Sequence, residues 1–92
     1  MNAAAAPAAG TTPVPDRVRQ VIADQLGLEV ARITDPASLR LDLGADSLDE
    51  IELVMALEEA FGISITSEEA SCWNVVLDVV GTVERLVERK TS

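Results

Sequence analysis

The chain has 92 residues, with sixteen Asp or Glu against seven Lys or Arg, a net charge of −9, no His, no Tyr, and one each of Cys, Trp and Phe. Without His there is no Ser-His-Asp or Cys-His nucleophile and no His-based metal site, and a single Cys excludes an internal disulfide or a Cys-cluster zinc site. The acidity argues against nucleic acid and against an anionic membrane surface, and points to basic protein partners.

The length fits one small domain. Thirteen residues are Ala, six of them within the first nine positions, so the core falls to eleven Val, ten Leu and five Ile. That supports a small helical domain rather than a deep enzyme cleft. The charge is uneven. Residues 41–84 hold eleven acids and no base, residues 1–40 are net neutral, and residues 85–92 carry a small positive excess.

Residues 1–15, MNAAAAPAAGTTPVP, read as a disordered Ala/Pro-rich tail. They make a poor signal peptide: no positive residue precedes the apolar run, which Pro7 and Gly10 interrupt. No run approaches the roughly 20 apolar residues of a membrane span, so a cytoplasmic protein without a membrane span is expected. The folded domain is placed at residues 16–90.

A first helix is predicted from Asp16 to Leu26, with Val18, Val21, Ile22 and Gln25 at helical spacing and Gly27 as its stop. A long connection to about Asp46 follows, with a turn at Asp35-Pro36. In it Leu39, Leu41 and Leu43 alternate and are expected to pin the loop onto the core. The second helix is predicted at Ser47–Phe61, capped by Asp46, with Asp49 and Glu50 in the first turn and Gly62 after the last. Thr66-x-x-Glu69 is a capping box opening a short third helix. Residues 73–81, WNVVLDVVG, are β-branched and read equally as strand or buried helix. A last helix is expected from Gly81-Thr82, with Val83, Leu86 and Val87 on one face and Arg85, Arg89 and Lys90 toward its C-terminal end. Cys72 is expected to be a buried small apolar residue. Asp42, Asp46 and Asp49 lack the spacing and central Gly of a calcium loop, and no metal site is assigned.

The second helix has two apolar faces. At about 100° per residue, Leu53, Val54, Leu57, Ala60 and Phe61 share a broad core arc. Leu48, Ile51 and Met55 fall on the opposite side among Glu52, Glu58 and Glu59. A generic apolar stripe packs against another helix, but a core face would not interleave three unpaired carboxylates. An apolar strip rimmed by acids reads as a docking surface for an apolar groove bordered by Lys or Arg, and Met55 gives it adaptability. Ser47 starts this helix. It is either an ordinary helix-start Ser or the attachment point for a phosphate, which backbone N–H groups and the helix dipole would stabilise.

The segment DLGADSLDEIELVMALEEAFGISI, Asp42 to Ile65, closely resembles acyl carrier proteins of the fatty-acid synthesis type, with weaker similarity in VRQVIADQLGL and TVERLVER. The resemblance implies an all-α fold, a small four-helix bundle with a long first loop. It implies that a phosphopantetheinyl transferase, with Mg²⁺, transfers 4′-phosphopantetheine from coenzyme A to Ser47, with Asp46 and Leu48 flanking the site and aiding recognition. It also implies that Ile51, Glu52, Met55, Glu58 and Glu59, with Leu48, form the docking face. The partners it implies are ketoacyl synthases, acyltransferases and related enzymes with basic docking patches. The protein would be a monomeric carrier rather than an enzyme.

Two departures from the family pattern stand out: the long Ala/Pro tail, and several extra residues, SCWNVVLDVVG, between Ala70 and Thr82. Trp73, Val75, Val76, Leu77, Val79 and Val80 would there either enlarge an acyl cavity or pack the bundle. Two other readings are an unmodified interaction module that keeps the docking helix, and a carrier of non-acyl cargo. A retained Ser47 within the full motif favours the carrier.

Overall fold

A computed structural model describes residues 13–91. Its helices are α1 (Val14–Leu26), α2 (Ser47–Phe61), α3 (Ser67–Ser71) and α4 (Val76–Thr91), with a 3-10 turn at Val30–Arg32. Among the described residues there is no strand, only an isolated antiparallel bridge between Ser38 and Val75. α1 packs against both α2 and α4. No helix among them is long and apolar enough to cross a membrane.

α1 begins two residues before the expected Asp16. Pro13 stands at the cap and Pro15 in the first turn, where a missing N–H costs nothing. Val14 and Pro15 thus belong to the helix rather than to a tail, while residues 1–12 lie outside the described part. Val18, Ile22 and Ala23 are buried, and Gly27, in the left-handed region at φ 68°, ends the helix.

The long connection is held at many points. Ile33, Ala37, Leu39, Leu43 and Ala45 are buried. The Leu39 N–H donates to the Asn74 carbonyl at 3.0 Å and the Val76 N–H to the Ala37 carbonyl at 3.0 Å. Arg19 on α1 pairs with Asp35. Leu41 is the exception to the expected pinning, at 89% exposed. The chain turns at this point: the N–H groups of Asp42 and Leu43 both return to the Ser38 carbonyl, each at 3.0 Å. Strand-like alternation therefore does not govern where Leu41 faces.

Residues 73–81 resolve toward helix. α4 starts at Val76, not at Gly81, and Val76, Val79, Val80 and Val83 are buried at helical spacing. The Asp78 carboxylate accepts the N–H groups of Asn74 at 2.9 Å and Val75 at 3.1 Å, satisfying donors at the helix start. Gly81 is an exposed mid-helix residue. The apparent extra residues form no added loop; they complete α3, make a short link and open α4. Trp73, Val76, Val79 and Val80 pack into the core, Val75 is half-buried, and Leu77 is 55% exposed. The Trp73 indole N–H donates to Thr82 Oγ1 at 3.0 Å, and the Thr82 hydroxyl donates to the Asp78 carbonyl at 3.1 Å, so the buried polar groups are paired. Cys72, expected to be buried, is exposed. It caps the C-terminal end of α3, and the chain then sends the Trp73 ring inward instead.

Candidate functional site

The site is built on the start of α2. Asp46 and Asp49 form a reciprocal capping box. Asp46 Oδ1 accepts the Asp49 N–H at 2.9 Å, and Asp49 Oδ2 accepts the Asp46 N–H at 3.1 Å. Of the four N–H groups that a helix start leaves without helical partners, those two are thereby used. The N–H groups of Ser47 and Leu48 remain for a ligand. Upstream, Gly44 takes φ 73°, and the Ala45 N–H donates to the Leu39 carbonyl at 2.8 Å. With Leu43 and Ala45 buried, the approach to Ser47 is anchored on both sides while Ser47 itself is exposed.

The residues present fit a phosphoester at this position. An exposed hydroxyl stands at the positive end of a fifteen-residue helix, beside first-turn N–H donors. Asp46, Asp49 and Glu50 also surround it with negative charge, partly offset by Arg40, whose Nε lies 3.3 Å from Glu50 Oε2.

α2 divides as its spacing predicts. Leu53, Leu57 and Phe61 are buried. Leu48, Ile51 and Met55 are 62%, 59% and 61% exposed, an apolar strip too continuous to be scattered surface residues. Glu52 and Glu59 flank it in solvent. Glu58 differs: it is half-buried, and its Oε2 accepts the Ile65 N–H at 2.8 Å. Its charge thus serves the turn into α3 as well as the rim.

A groove of about 350 Å³ runs beside the strip, with Ile51, Val54 and Met55 of α2 facing Ile65 and Ala70, and with Ser47 in its wall. α3 has no buried residue. It is held through its ends: Thr66 Oγ1 accepts the Glu69 N–H at 3.1 Å, and Glu69 Oε1 accepts the Thr66 N–H at 3.0 Å. Glu69 Oε2 also accepts from Arg85 Nη2 on α4 at 2.8 Å. The Thr66 backbone hydrogen bond, then the Arg85 contact, lowers the Glu69 pKa below its ordinary value.

Asp49 is expected from the sequence only as a first-turn acid; the signal for its capping role is the Asp46-x-x-Asp49 spacing, although the usual signature has Glu or Gln at that place. The Arg40–Glu50 pair and the α3 wall of the groove carry no local sequence signal, because both depend on how the long loop and the α2–α3 turn are routed.

The phosphopantetheine attachment-site family matches residues 16–88. The chain is also similar to an acyl carrier protein of Akkermansia muciniphila, 48% identical over 73 residues, which cover 79% of this chain and 91% of the relative. With the helical bundle and the exposed, capped α2 already in place, the chain belongs to the acyl carrier protein family, whose phosphopantetheine arm carries acyl intermediates.

Proposed function

We propose that Ser47 is the residue that bears 4′-phosphopantetheine and that the Leu48–Ile51–Met55 strip docks the enzymes that use it. The observation that carries this reading is the exposed Ser47 hydroxyl on the capped start of α2, next to the exposed strip on the same helix. The chain offers no His, and the Asp46 and Asp49 carboxylates beside that hydroxyl are engaged in the capping box, so a phosphopantetheinyl transferase supplies the base. The Ser47 oxygen displaces adenosine 3′,5′-bisphosphate from coenzyme A, forming a phosphodiester, and the serine proton leaves through the transferase. The thiol at the end of the arm then holds acyl groups as thioesters.

Asp46 and Leu48 flank the modified oxygen and are assigned to transferase recognition. Ile51, Glu52, Met55 and Glu59 are assigned to docking, with Glu58 contributing where its carboxylate is not engaged by Ile65. Partners of this chemistry are ketoacyl synthases, acyltransferases and related enzymes with basic patches around an apolar groove. The chain acts as a carrier in the cytoplasm and not as a catalyst, working as a monomer.

Intact-mass measurement after incubation with coenzyme A and a permissive transferase tests the assignment. Wild-type protein gains the arm and Ser47→Ala gains nothing. No added mass on wild type, or equal addition to Ser47→Ala, overturns it.

A further inference from the structure

A second groove, of about 500 Å³, lies between the turn at residues 38–41 and the link from α3 to α4. Arg40, Leu41, Glu50, Ser71, Trp73 and Asn74 are in its wall. Glu50 and Ser71 also line the groove that contains Ser47, so the two grooves are neighbours that share part of their walls. Two features here have no role in the bundle. Leu41 is 89% exposed. Arg40 is the last base before a stretch of 44 positions, 41–84, that holds none, and it reaches Glu50 in the first turn of α2. Its pairing with Glu50 is between exposed and partly exposed side chains, a contact of little net worth that is readily exchanged.

We propose that this groove is the resting bed of the phosphopantetheine arm, and that Arg40 leaves Glu50 to receive the phosphodiester. This placement rests on Ser47 being the attachment residue. Ser47 and Glu50 stand three residues apart and so on one helix face, which brings a phosphate on Ser47 within the neighbourhood that Arg40 already serves. Modification adds an anion beside Asp46, Asp49 and Glu50, and the exposed guanidinium of Arg40, held by one solvated carboxylate, relieves more repulsion by moving toward it. Beyond the phosphate the arm alternates amides with an apolar gem-dimethyl unit and methylenes. The groove likewise mixes polar Ser71 and Asn74 with apolar Leu41 and Trp73; the Ser71 hydroxyl donates to the Glu68 carbonyl at 2.8 Å and so offers the arm an acceptor. Covering Leu41 removes apolar surface from water.

The test uses apo and unacylated holo protein, wild type and Arg40→Gln, each with its mass confirmed, compared by ¹⁵N–¹H correlation spectra. On adding the arm to wild type, the Asn74 side-chain amide and the Leu41 and Ser71 backbone N–H signals move. In Arg40→Gln, which keeps its fold because Arg40 is exposed, the arm is still added and those movements are lost. Full addition of the arm with changes confined to residues 45–50 overturns the placement, and movements that persist in Arg40→Gln overturn the role of Arg40. Absence of added mass overturns the attachment itself, and is seen before any spectrum is compared.

Discussion

The Glu58 carboxylate accepts the backbone N–H of Ile65 at 2.8 Å, joining α2 to the turn that launches α3. One acid of the proposed docking rim is therefore also a structural part. Glu58→Lys destroys that acceptor and leaves a partly buried N–H unpaired, costing about 1–3 kcal/mol as well as altering docking. Glu52, exposed and without such a bond, separates the two effects. Glu52→Lys weakens binding to a basic partner and flattens its salt dependence, with an unchanged denaturation midpoint. Titration at low and high salt, with urea unfolding of both variants, checks this. Equal stability of Glu58→Lys and wild type contradicts the structural part.

Gly81 lies within α4 at a helical φ, and a Cβ added there meets nothing within 4 Å. Gly81→Ala removes backbone freedom from the unfolded chain at no steric cost and stabilises by about 0.5–1 kcal/mol. Thermal unfolding followed by circular dichroism reads the gain; a loss would mean that the helix does not pass through residue 81.

The C-terminal end of α2 has no basic residue in its own last turn and borrows cations from its neighbours. Arg17 of α1 sits over the Phe61 ring at 4.6 Å and donates to the Ala60 carbonyl at 3.1 Å. Lys90 of α4 donates to the Phe61 carbonyl at 3.1 Å. Arg17→Ala loses the ring contact and the carbonyl bond together, about 1–2 kcal/mol. Arg17→Lys recovers only part of it, lacking the planar fork. Chemical denaturation of the three proteins distinguishes these.

The lowered pKa of Glu69 gives α3 a pH dependence. A carboxyl whose folded value lies below its unfolded one stabilises the fold above the unfolded value, here 4.5, and loses that contribution as pH falls through the folded value. Wild type therefore loses more stability than Glu69→Gln on acidification from neutral pH through that window. Denaturant midpoints measured across the range show the two curves converging at low pH. Parallel curves would refute the Thr66–Glu69–Arg85 clamp.

Local signals account for what the sequence determined alone. Asp46 and Gly62 bracket α2, Thr66-x-x-Glu69 opens α3, and the 3.6-residue spacing separates the Leu53–Leu57–Phe61 face from the exposed Leu48–Ile51–Met55 face. Capping chemistry and helical periodicity act over one or two turns, so they can be read without knowing where the rest of the chain goes. Tertiary structure decided the rest. The WNVVLDVVG stretch becomes the α3–α4 link and the start of α4 because its valines meet the core on one helical face, the link is bridged to the loop at Ser38, and Asp78 reaches back to cap the start. Leu41 stays outside and Cys72 faces solvent because turns, not strand alternation or residue type, aim them. Glu58 is tied to Ile65 and Arg40 to Glu50 only once the loops are routed. Such contacts join residues whose approach no local pattern encodes, since the cost of closing the intervening chain is met by the burial of the whole bundle.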